Sequence, residues 1–185
     1  KYAWPRGAAV TLVAPEVVAQ AEAAQKKAEP GGPDALLDVV LGGRRDARFS
    51  QPIPLCVRVQ RVFDARFVLS GHLAKNLSID MGRSALLSVG DVRIIVTERS
   101  GPHFAPDLFL AAGLDPFGLD VLIAKSPCGF RAAYEEHAAL ILLVQAPGCA
   151  PADFWNYDYP QRPHPLWPWE DVPDWQPACQ LSKAR

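Results

Sequence analysis

Hydrophobic positions fall into short runs broken by Pro and Gly, and the spacing inside each run predicts its element. Residues 15–28, PEVVAQAEAAQKKA, predict a helix with Pro15 at its first position, Glu16 at the positive end and Lys26-Lys27 at the other. Val17, Val18 and Ala21 give it one narrow apolar edge, and Pro30-Gly31-Gly32-Pro33 stops it. Ala35–Leu41 reads as a strand closed by Gly42-Gly43, a pair suited to positive φ or to close approach of another backbone. The GxxxxGK[ST] spacing of a phosphate loop is absent there. In Leu55–Val62, Leu55, Val57 and Val59 alternate with Cys56, Arg58 and Gln60, which predicts a half-buried strand. Arg66–Leu69 is expected to pair antiparallel to it across a tight Asp64-Ala65 connection.

The runs Ser84–Val89 and Val92–Thr97 flank Gly90-Asp91, a pair that suits a type II′ hairpin turn. Asp107–Ala112 predicts a short helix, led in by Pro106 and stopped by Gly113. Val121–Ala124 and Ala138–Val144 (AALILLV) have the composition of buried strands. The fold class these elements predict is α+β and β-rich. It has about seven short, mostly antiparallel strands, two or three short helices and an extended C-terminal strap.

The strap is compositional. From Pro147 onward prolines interleave with Trp155, Trp167, Trp169 and Trp175, which forbids regular helix or central strand. So many large rings also argue against a disordered tail. The expected organisation is an α+β domain over 1–150 and a Pro/Trp-rich strap over 151–185 packed on it, its rings buried as anchors. An aromatic-lined ligand groove is the alternative.

With 49% hydrophobic residues the chain of 185 can fill a core, and its net charge of −1 gives no basic face. Nucleic-acid and membrane-surface binding are therefore not expected, and neither a membrane-spanning stretch nor a signal-peptide pattern appears. Cys56, Cys128, Cys149 and Cys179 are scattered without a CxxC pair, which predicts buried free thiols in a reducing cytoplasm. The histidines form no HExxH or HxH motif, so no metal site is expected in this chain. It opens on Lys1 rather than methionine, which fits a piece of a longer protein.

The candidate chemistry lies in Asp120–Glu136, where an apolar run delivers Lys125 and Ser126 at its end and Arg131 follows a turn through Pro127-Cys128-Gly129. Cations and a hydroxyl at a strand end form a common site geometry, and the same pattern fits a lysine and an arginine that snorkel from a core. Ser126 or Cys128 as a nucleophile would need a base, and no histidine is near in sequence. By its own residues the chain offers half a site.

The order of these features resembles the C-terminal domain of the MlrC family, the microcystinase C-like zinc metallopeptidases. The resemblance rests on Pro15-Glu16-Val17-Val18, Gly42-Gly43-Arg44, Pro52, Gly82-Arg83-Ser84-Ala85 and Phe109 through Gly113-Leu114-Asp115-Pro116. It continues with Lys125-Ser126-Pro127-Cys128-Gly129-Phe130-Arg131-Ala132, Pro147-Gly148, and Arg162-Pro163 through Leu166-Trp167-Pro168. It implies a two-domain peptide or amide hydrolase whose zinc is held by an N-terminal domain absent from this chain. That domain would be the chain's partner. Carried over to this sequence, Lys125, Ser126 and Arg131 would face the cleft and bind substrate, with no catalytic residue and no metal ligand here. Three positions depart from the family pattern: Gly129 stands for histidine, Arg44 for lysine, and Pro102 where a glutamine is usual. Loss of the histidine removes a proton donor or ligand, which leaves a second reading open, a non-catalytic module that binds a ligand or partner.

Overall fold

The computed structural model describes residues 6–28, 34–43, 47–71, 74–126, 128–146, 159–176 and 178. The chain divides into two compact units, Lys1–Val144 and Gln145–Arg185.

The first unit is a mixed sheet with helices, an α+β fold rich in strands. Its strands are β1 (Ala8–Val13), β2 (Ala35–Leu41), β3 (Ile53–Val68), β4 (Ser78–Val89), β5 (Val92–Thr97) and β6 (Val121–Leu122). They lie in the order β2-β3-β4-β5-β1-β6. The β2–β3, β3–β4 and β4–β5 pairs are antiparallel, whereas β1 runs parallel to both β5 and β6. The helices are α1 (Pro15–Lys27), α2 (Pro106–Ala111) and the single turn α3 (Arg131–Tyr134).

Residue alternation gives the sheet two cores. On one face Val57, Val59, Ala85, Leu87, Ile94 and Val96 bury against Val17, Val18 and Ala21 of α1. These helix positions are the apolar edge read from the sequence. On the other face Phe63, Ala65, Met81, Leu86 and Ile95 bury against Leu108 and Phe109 of α2. The period of two sends Ile94 and Val96 to one side and Ile95 to the other. The central strands thus read as nearly continuous apolar runs, as strands covered on both faces do.

Local signals hold at several points. Pro15 starts α1, whose carboxyl end carries Lys26 and Lys27. The hairpin closes with Val89 opposite Val92, and Gly90 takes φ 54°. Gly113 ends the α2 region at φ 81°.

Elsewhere the structure corrects the sequence reading. Six strands are present among the described residues, not seven. β1 gave no strong signal, because Ala8-Ala9 and Thr11 blunt its apolar pattern, yet it lies between β5 and β6. No hairpin forms at Asp64-Ala65. A single strand, β3, runs through, and register shifts between Val59 and Arg61 and between Asp64 and Arg66 absorb the irregularity while β4 supplies its partner. The strand predicted at Val121–Ala124 shrinks to two half-buried residues, with Ile123 50% exposed.

The run Ala138–Val144 is not a buried strand. It has no helix or strand structure, and Leu140, Leu142, Leu143 and Val144 are 70–82% exposed. No described strand pairs with it, and of its large apolar side chains only Ile141 is half-buried. Cys56 and Cys128 are free, as expected, but exposed rather than buried. Cys56 is exposed on β3, opposite Asp38 of β2. Its hydrogen bond with that carboxylate, and then burial, push the thiol up from its ordinary value. Cys149 and Cys179 lie outside the described residues.

In the second unit the described residues form turns without helix or strand. Glu170 organises them: its carboxylate accepts from Leu166 N–H at 2.8 Å and from Arg162 Nη2 at 3.1 Å, and meets His164 Nδ1 at 2.6 Å. Trp169 lies edge-on to Tyr159, but Trp167 and Trp175 are at least 70% exposed, so these two rings are not the buried anchors expected. Trp155 lies outside the described residues.

Two expectations follow. Leu87→Ala, at a site with no exposure, should cost about 2–5 kcal/mol in urea unfolding, whereas Leu140→Ala should stay within about 0.5 kcal/mol. Asp80 is held below the usual carboxylate range by Gly82 N–H and then by Arg99 and Arg66, and Asp120 by the backbone N–H and then the guanidinium of Arg6. Because both folded-state values are depressed, their stabilisation is complete above about pH 4 and fades as pH falls through the lowered values. Urea midpoints between pH 6 and pH 2 should fall in that window, and less steeply in Asp80→Asn.

Candidate functional site

Three segments far apart in sequence meet at the carboxyl end of β1. There the chain turns directly into α1 through Ala14, whose N–H bonds Thr97 O at 3.0 Å. β2 packs along α1, and its end, Gly42-Gly43, returns to the start of the helix. The third segment leaves β6, where Ile123 N–H bonds Ala9 O at 2.9 Å, and reaches Lys125 two residues later. A recess of about 210 Å³ opens between them, lined by Val13, Ala14, Glu16, Gly42-Gly43, Ser50 and Lys125. It lies outside the carboxyl ends of parallel strands, beside β1 and β5, which the chain leaves over opposite faces of the sheet through α1 and α2. Sheets with parallel strands place ligands at such points.

The glycine pair shapes one wall. Gly42 and Gly43 take φ 77° and 67°, and a Cβ on Gly43 would strike the Gln51–Pro52 backbone. Gly43 N–H donates to Ser50 Oγ at 3.0 Å, which fixes the loop across the recess. Positive φ and close backbone approach, the two uses read from the sequence, both apply here. Arg44 lies outside the described residues.

Of the three residues singled out in the sequence, the recess holds one. Lys125 is exposed and lines it. Ser126 is half-buried, and its hydroxyl accepts Gly129 N–H at 2.8 Å, so it closes the turn that follows Lys125. Arg131 is exposed at the start of α3. Its Nη1 pairs with Glu135 Oε1 at 2.9 Å, and its guanidinium stands 5.4 Å from the centroid of the Phe130 ring. An exposed pair of this spacing contributes only about 0.3–0.5 kcal/mol, so an anion would displace it readily. Glu16, Ser50 and the end of β1 escaped the sequence reading, since only the fold brings them beside Lys125.

Gly129 occupies a tight place. A Cβ there would stand 3.1 Å from Ser126 Oγ and 3.2 Å from two atoms of the Phe104 ring. In α3, Tyr134 is buried, and its hydroxyl has no hydrogen-bond partner among the described residues. Burial, and then the charge of Asp107, push this phenol up from its ordinary value. Among the described residues no group of three or more His, Cys, Asp or Glu is placed to hold a metal ion. These residues therefore do not fit zinc. No helix among them is long and apolar enough to cross a membrane.

The fold and the recess define an α+β domain with a glycine-walled hollow, lined by Glu16 and Lys125, at the ends of its parallel strands. The family model described as MlrC C-terminus matches residues 3–161, and the chain belongs to that family. A crystal structure of a "putative metallopeptidase" from Mesorhizobium sp. BNC1 shares the fold, with a TM-score of 0.71 and 22% identity over 92% of this chain. This chain spans 32% of the Mesorhizobium one. No curated protein matches it.

The crowding at Gly129 is directly measurable. Gly129→His should lower stability by about 1–3 kcal/mol as Phe104 and the Ser126 hydroxyl are forced aside. Thermal melts should show part of that loss relieved in a Phe104→Ala background.

Proposed function

We propose that this chain is the C-terminal, substrate-cleft domain of an MlrC-type zinc-dependent peptide or amide hydrolase. The zinc and the reacting groups would be supplied by an N-terminal metal-binding domain, its partner. The observation that carries the reading is Lys125 in the recess at the end of β1, in a chain of the MlrC C-terminus family. The Lys125 ammonium is suited to a substrate carboxylate or to an anion that develops during hydrolysis, since charge-assisted donors are strongest toward such groups. Ser126 positions it by closing the next turn through Gly129 N–H. Arg131 is a second cation toward the same substrate once it releases Glu135. The exposed thiols of Cys56 and Cys128 suit a reducing cytoplasm.

One observation favours a second reading, a module that binds a ligand or partner without chemistry. Gly129 stands where the family pattern has histidine, and Phe104 and Ser126 close in on the space a side chain would need.

The natural polypeptide, purified and assayed for zinc and for hydrolysis of short peptides, separates the two. Under the hydrolase reading it carries stoichiometric zinc, and Lys125→Ala lowers kcat/KM by roughly 10²-fold or more, the scale for losing one donor to a developing anion. A metal-free, inactive polypeptide whose Lys125→Ala form merely loses ligand affinity would establish the module instead.

A further inference from the structure

The least satisfied part of the first unit is the run Leu140–Val144. It is apolar at every position, yet Leu140, Leu142, Leu143 and Val144 are 70–82% exposed. Among the described residues none accepts a hydrogen bond from its backbone N–H groups, since the last such bond before it is Ala138 N–H to Tyr134 O at 2.8 Å. Strand-forming composition, bare side chains and open backbone groups together describe a segment made to lie against another surface.

We infer that Leu140–Val144 is the docking strand of this domain for the N-terminal part of an MlrC-type polypeptide. The matching family is, by its description, the C-terminus of a longer protein. This chain also spans only 32% of the Mesorhizobium chain, so about two thirds of a relative of the same fold lies beyond the matched portion. The occupant presents an apolar face to this run, with or without strand pairing. The inference rests on the two-domain reading above and names its contact surface.

Hydrogen exchange read by mass spectrometry over residues 140–144 tests it, in the 185-residue chain and in the natural polypeptide that carries both parts. In the 185-residue chain these amides should exchange near the unprotected rate at every protein concentration, and Leu142→Asp should leave Tm unchanged. In the longer polypeptide exchange should slow about 100-fold or more, and Leu142→Asp should restore fast exchange and loosen the N-terminal part, as limited proteolysis would show. Equal exchange in both forms overturns the inference, as does slow exchange that Leu142→Asp leaves intact. Protection that grows with the concentration of the 185-residue chain assigns the surface to a second copy and also overturns it. So does a coding frame with no such N-terminal part. The readout uses neither metal nor substrate, so an inactive polypeptide with a protected run defeats the hydrolase reading alone.

Discussion

Everything in the first unit depends on the sheet having to be buried on both faces at once. β4 and β5 carry apolar residues at consecutive positions, Ala85-Leu86-Leu87 and Ile94-Ile95-Val96, and the pleat sends neighbours to opposite sides. A helix on one face alone would leave Leu86 and Ile95 in water. α1 and α2 therefore cover opposite faces, and their connections leave neighbouring parallel strands in opposite senses. The recess is a by-product of that arrangement. Where chain departs over both faces, neither helix caps the strand ends, and the gap is walled by what returns to it: Gly42-Gly43 from β2 and Lys125 from β6.

The charged residues follow a similar logic of place. Arg83 bridges Glu22 of α1 and Asp64 of β3 at 3.4 and 3.2 Å, joining helix to sheet at the rim. Such exposed pairs contribute little individually, and the body is held chiefly by its two apolar layers. Lys125 lines the recess, and Arg131 pairs with Glu135 on α3. The Lys-Ser-…-Phe-Arg segment is thus divided by its own turn. Lys125 lines the recess, Ser126 holds the turn at Gly129, and Arg131 lies on α3.

The departure at Gly129 has a local physical meaning. Ser126 Oγ accepts the Gly129 N–H, and the Phe104 ring closes over the same spot. The turn is compact because no side chain is there, and the space that a histidine would require is taken by Phe104.

Elements whose signals are local were legible in the sequence. Pro15 and the Val17, Val18, Ala21 edge specify α1 by the backbone preference of proline and the 3.6-residue period, and Gly90 specifies its hairpin by positive φ. The glycine pair and the Lys125 segment could be singled out for the same reason, since their chemistry is carried by neighbouring residues. What lies between distant residues was decided only by the tertiary structure. β1 is a strand because β5 and β6 flank it, not because Ala8–Val13 is strongly patterned. β3 runs through Asp64-Ala65 because β4 is long enough to pair with both halves. An apolar run such as Ala138–Val144 states that it needs cover, but composition alone does not say where the cover comes from. Periodicity reports which side chains avoid water, and only the packed chain determines which surfaces are there to receive them.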